Sequence, residues 1–165
     1  EKKFFSKNIN INAFSDRITI VPLPLCESLS FKSFNMSNKE WGGAMSNFGE
    51  NLDHENLQRL FKYNFNYNTF GLSIDQSVKL LNFAKPNYIK IDVDGIEHLI
   101  LKGATDTLKD VDSLLVEIND NDKKQSGDTE KYLMEAGFKL KRKFHSELIE
   151  KSEKFSTFFN QIWTK

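Results

Sequence analysis

The sequence is short of several things at once. Of its 165 residues one is cysteine, three are proline and eight are glycine. A lone Cys26 excludes an intrachain disulfide and any zinc site built from several thiolates. Neither sign of charge is in excess, since 23 Lys+Arg balance 23 Asp+Glu. Nucleic-acid modules carry a basic surplus, so neutrality argues against one. Only three of the basic residues are arginine, the side chain best suited to clamp phosphate. No apolar run reaches the roughly 18–20 residues of a membrane helix. The chain opens Glu1-Lys2-Lys3-Phe4-Phe5, without an initiator Met or signal-peptide pattern. We therefore expect a fragment of a longer protein.

What is present is ordinary globular material. At 39% hydrophobic and 28% charged, the chain can enclose one core, and a single domain over 1–165 is expected. Asparagine and phenylalanine interleave in the first half without a period, which reads as compositional bias rather than a repeat.

Apolar spacing predicts a helix over 4–12 and a β-branched strand over 17–25, its second half weakened by Pro22 and Pro24. Alternation over 28–34 suggests another strand, and 41–49 a glycine-punctuated loop. A short strand over 69–74 leads into a helix capped by Ser73 or Asp75 and ending near Ala84. Beyond Pro86 the pattern sharpens: strand 88–93, a turn at Asp94-Gly95, helix 96–108, and the near-continuous apolar strand 113–118. A helix over 129–136 stops at Gly137, and strands 138–144 and 157–163 flank the charged stretch 147–154. This order is an α/β domain with a largely parallel sheet, its last strand pair antiparallel. Strands 88–93 and 113–118 are expected to be adjacent, central and covered by helices on both faces.

Ligands of open α/β sheets bind outside the carboxyl ends of the strands. That rule selects Asp92, Asp94 and Gly95 after one strand, and Glu117, Asn119 and Asp120 after the next. Carboxylates there could hold a hard cation or orient a hydroxyl. Asp-Gly after a strand is equally ordinary turn chemistry. The string Asp92-Val93-Asp94-Gly95 also resembles the nucleophile motif of haloacid-dehalogenase-like phosphatases, which use magnesium between two aspartates. That family wants Thr or Val after the glycine and a Ser or Thr ending the next strand; here stand Ile96 and Glu117-Ile118-Asn119.

The longer string Lys90-Ile91-Asp92-Val93-Asp94-Gly95-Ile96-Glu97, followed by Leu101-Lys102-Gly103-Ala104, resembles the FkbM family of S-adenosylmethionine-dependent methyltransferases. Their strand reads Lys-Ile-Asp-Val-Glu-Gly-x-Glu, so Asp94 replaces Glu. The preceding Ser73-Ile74-Asp75, the following Leu114-Leu115-Val116-Glu117-Ile118 and, more loosely, the loop 42–46 also fit. The resemblance implies a Rossmann-like class I methyltransferase sheet, truncated at its N-terminus, with 17–25 as strand three. It implies S-adenosyl-L-methionine as cofactor, with Leu25, Cys26 and Glu27 lining the adenine and Asp92 reaching the cofactor too. Asp92 and Asp94 would face the transferring methyl group, and His98 is a further candidate base. His145 and His54 are weaker candidates. No resident metal is expected; a metal-dependent version would use Asp92 or Asp94 with Asn119 and Asp120. The glycine-rich loop that grips the methionine end is not found in this sequence. The acceptor would be a small-molecule or saccharide hydroxyl, with no nucleic-acid or membrane partner, in the cytoplasm. A non-catalytic Rossmann-like fragment is the remaining alternative.

Overall fold

The computed structural model describes residues 2–36, 46–49, 65–146 and 155–165. Of the loop predicted over 41–49, residues 41–45 lie outside the described residues, as do His54 and the charged stretch 147–154, and residues 46–48 form a strand instead. Helix α1 (Lys2–Ile11) bears out the opening helix. Ile9 is buried on it, while Phe4, Phe5 and Ile11 are exposed.

The predicted strand over 17–25 does not form. What remains is a single parallel bridge, Leu25 to Leu72, in which Cys26 N–H donates to the Leu72 carbonyl and Leu72 N–H to that of Pro24. The two prolines are the physical reason: each removes a backbone donor, and alternate prolines leave no ladder to build.

Strands β1 (Ser30–Met36), β2 (Ser46–Phe48) and β3 (Phe65–Gly71) form a three-stranded sheet in the order β2-β1-β3. Both pairings are antiparallel. One face of this sheet aligns Phe34 with Phe48 and Tyr67, and Phe48 enters the main core. Helix α2 (Ile74–Leu80) follows, capped by Ser73 in a reciprocal capping box with Gln76. Asp75, the alternative cap, does something else. Its carboxylate accepts from the N–H groups of Asp106 and Thr107 and from the Thr107 hydroxyl at 2.6 Å.

Strand β4 (Tyr88–Ile91), helix α3 (Glu97–Lys102), a 3-10 helix over Thr107–Asp110 and strand β5 (Ser113–Asn119) make one crossover unit. The helix expected over 96–108 thus breaks at Gly103, because Asp75 captures the amides that would have continued it. Helix α4 (Lys123–Glu135), strand β6 (Lys139–Phe144) and strand β7 (Phe158–Thr164) complete the chain. The second sheet runs β4-β5-β7-β6. Only β4–β5 is parallel; β5–β7 and β6–β7 are antiparallel. The antiparallel final pair is as expected, but the largely parallel sheet is not: among the described residues β4–β5 and the isolated Leu25–Leu72 bridge are the parallel pairings.

Strands β4 and β5 are neighbours, as expected, yet only β5 is central. β4 is an edge of this sheet among the described residues, with Tyr88 and Lys90 exposed. On β5, Leu114, Val116 and Ile118 are fully buried, whereas Leu115 and Glu117 are half-buried. Helices α3 and α4 pack over the first face with Ile100, Leu101 and Leu133, so among the described residues cover is complete on one side only. Among the described residues no helix is long and apolar enough to cross a membrane.

Candidate functional site

The carboxyl end of β4 opens into a cleft of about 590 Å³. Ligand pockets span about 300–1,000 Å³, so it is large enough for a nucleoside-sized ligand. Its walls are largely apolar: Leu25 and Pro24 from the bridge segment, Phe48 from β2, and Ile91 and Ile96 around the turn. Its polar end carries Asp92 and Asp94 with Ser46 and a single cation, Lys90, so that acid outnumbers base there. A cavity with greasy walls and a negative end suits a ligand that is apolar over most of its surface and cationic at one point.

The turn that presents the two aspartates is built from the backbone. Gly95 sits at φ +102°, a region that side chains avoid, so glycine is required there. Asp94 Oδ2 accepts the backbone N–H of Ser46 at 2.8 Å, which ties β2 to the turn. Asp92 pairs with Lys90 at 2.6 Å, both side chains about half exposed (46% and 59%). Such a surface pair contributes about 0–1 kcal/mol and leaves the Asp92 carboxylate accessible.

A third carboxylate stands beside them. Glu117, one position beyond the Ile91–Val116 pairing, has its pKa raised by burial first, and then by the negative charges of Asp92 and Asp94, against the pull of Lys90. The ends of β4 and β5 thus form an acidic pole. Among the described residues no three His, Cys, Asp or Glu side chains converge as a metal-ligand set. Asn119 and Asp120 are committed elsewhere. Asn119 Oδ1 accepts from the Thr157 hydroxyl at 2.8 Å and Asp120 pairs with Lys143.

Of the other predicted site residues, Leu25 lines the cleft, whereas Cys26 and Glu27 do not. Cys26 is buried and directs its thiol at the Ser28 carbonyl, 3.0 Å away. Glu27 is exposed and pairs with Lys102 at 2.6 Å. His98 is buried on α3 and is not among the residues around the cleft. His145 donates through Nδ1 to the Phe158 carbonyl and stacks on Phe159, centroids 4.1 Å apart, which makes it a packing residue at the end of β6.

Sequence reasoning missed the most deeply buried acid of the site. Glu97, the first residue of α3, is only 1% exposed. Burial raises its pKa to about 8, against opposing hydrogen bonds from its own amide, Gln125 and Gly95. A glutamate in a first helical turn ordinarily faces solvent and the helix dipole. The available signal was the apolar Ile96 and Leu99-Ile100-Leu101 around it.

No curated protein and no solved structure matches the chain. The family model described as the methyltransferase FkbM domain matches residues 8–140, which include the cleft's bridge segment, the acidic turn, α3 and β5. The match covers well over half of the sequence, and with it the phosphatase alternative falls: the chain belongs to the FkbM methyltransferase family.

Proposed function

We propose that this protein transfers a methyl group from S-adenosyl-L-methionine to a hydroxyl of a sugar or other small natural product. The observation that carries the reading is that Asp92 and Asp94 stand together, with Lys90 as their one basic neighbour, at the end of a largely apolar cleft. A nucleoside with a sulfonium at one end has the matching profile: aromatic and apolar over its base, positive at the reacting atom. In this reading Leu25 and Ile96 bound the space for the adenine, and Asp94 and Glu117 supply the negative field.

When bound, the donor offers a methyl carbon on positively charged sulfur, poised for in-line displacement. The chain itself must hold the acceptor in line and take its proton. Proton acceptance falls to Asp92, which is accessible, follows β4 at the cleft, and has in the half-exposed Lys90 of the same cleft an exchangeable partner. Asp94 is held by Ser46 and is less free to move toward an acceptor.

The test is isothermal titration of S-adenosylhomocysteine into the protein. Stoichiometric binding is expected. Absence of binding by folded protein would overturn the reading.

A further inference from the structure

The proposed chemistry leaves one buried carboxyl of the site unused. Glu97 Oε2 accepts from Gln125 Nε2, and its Oε1 accepts the Gly95 N–H at 3.4 Å, an amide it shares with the Val93 carbonyl at 3.2 Å. The orientation of Gln125 follows from its other end: Oε1 accepts the Asn119 N–H at 2.8 Å, so its amide nitrogen must face Glu97. Gln125 is itself anchored, its N–H donating to the Asp122 carboxylate at 2.9 Å. A continuous chain therefore runs from Gly95, at the end of the acidic turn, through Glu97 and Gln125 to Asn119, at the end of β5. Gly95 offers no side chain to pack, so the turn is placed by contacts to its backbone and to Asp94.

We propose that Glu97 is a positioning residue for the acidic turn, registering 92–95 against the end of β5 through Gly95 on one side and Gln125 on the other. As a statement about methyl transfer it rests on the reading above; as a statement about the turn it does not. The charge that acts on Glu97 is that of Asp94 on the turn; His98 follows it on its own helix, and Asp122, which caps α4, is joined to it only through Gln125. Burial disfavours the ionised form, and the charge of Asp94 adds to that. Ionisation gives Glu97 two full acceptor oxygens and strengthens its hold on Gly95. A protonated carboxyl gives one of them up to its own hydrogen. The placement of the turn is thereby coupled to the protonation of a residue outside the cleft.

The experiment follows the Gly95 amide of ¹⁵N-labelled protein across the mildly acid to alkaline range. In the wild type it should move downfield with a midpoint near pH 8. In Glu97→Gln that movement should vanish, and in Gln125→Met, which removes a donor to the carboxylate, the midpoint should rise. Affinity for S-adenosylhomocysteine should change severalfold over the same interval in the wild type and stay level in Glu97→Gln. A Gly95 amide that does not titrate in the wild type, or titrates unchanged in Glu97→Gln, overturns the proposal. The wild-type titration decides the matter even where a variant fails to fold. Titration as expected, with no response of the turn to S-adenosylhomocysteine, keeps the hold of Glu97 on the turn and overturns instead the assignment of that turn to methyl transfer.

Discussion

Asp94 accepts the backbone N–H of Ser46 at 2.8 Å, so a residue of the antiparallel sheet is fastened to the turn that ends a parallel strand. The carboxylate is at once a charge and a tether, and the two can be separated. Asn keeps an oxygen that accepts from Ser46; Ala does not. Asp94→Ala should lose about 1–2 kcal/mol of stability, the cost of a part-buried donor left unpaired, and Asp94→Asn much less. Urea denaturation midpoints give the comparison. Equal losses in both variants would mean that the Ser46 contact contributes nothing to stability.

Asp92 should behave in the opposite way. It pairs with the solvent-facing Lys90, so Asp92→Asn should change stability by no more than about 1 kcal/mol. Turnover should nevertheless fall by about 10²–10⁴-fold if the carboxylate takes the acceptor's proton. Affinity for S-adenosyl-L-methionine should change far less. Thermal melts, cofactor titration and turnover on the same preparation check all three. Near-normal turnover would pass the role to Asp94.

The buried acid makes stability depend on pH with a definite sign. Glu97 has a folded-state pKa of about 8 against an ordinary 4.5, so between these values the folded chain holds a proton that the unfolded chain releases. Its contribution is fully present below about pH 4.5 and is lost as pH rises through about 8. The loss amounts to several kcal/mol at most. Asp75 acts with the reverse sign. Although burial pushes its pKa up, hydrogen bonds from Thr107, Asp106 and Thr105 together bring it below the ordinary value, and its contribution is lost as pH falls. Denaturation at pH 5, 7 and 9 should show the wild type weakening steadily and Glu97→Gln nearly level, the difference isolating Glu97 from the other carboxylates.

The sequence spoke most clearly where one local rule acted alone. The apolar run of β5, the caps at Ser73 and Gly137, and the Asp-Gly turn after β4 all follow from nearest-neighbour chemistry, and each is where it was expected. The failures share a different cause. At 17–25 the β-branched residues argued for a strand, and the alternate prolines decided against it by removing donors. The helix after Gly95 ended early because Asp75, some 30 residues upstream, captures the amides of Asp106 and Thr107. The antiparallel sheet β2-β1-β3 depends on pairing across residues far apart, which periodicity cannot report. Asp92 and Asp94 were legible as a site because strand ends present ligands. The part of Glu97 was not, since the apolar residues around it hint at burial but its partner Gln125 comes from α4, 28 residues on.

Gly103 explains why the bridge segment can reach the cleft at all. A Cβ at this position would lie 2.6 Å from the carbonyl oxygens of both Cys26 and Glu27, and 2.7 Å from the Ser73 Cβ. Two of those atoms are backbone and cannot swing aside as a side-chain tip would. The Gly103 φ of −86° is open to any residue, so the requirement is for space and not for backbone freedom. Gly103→Ala should therefore push the 25–27 segment away from α3, at a cost of about 1–3 kcal/mol, the usual penalty of overpacking. Leu25, which lines the cleft, would move with it, so affinity for S-adenosyl-L-methionine should fall as well. Gly127 supplies the control. It lies within α4, and a Cβ there meets nothing within 4 Å. Gly127→Ala should instead stabilise the protein by about 0.5–1 kcal/mol through helix propensity. Melting temperatures of the two variants should move in opposite directions. If Gly103→Ala matched Gly127→Ala in sign, the close approach of Cys26 and Glu27 to α3 would not be what this glycine serves.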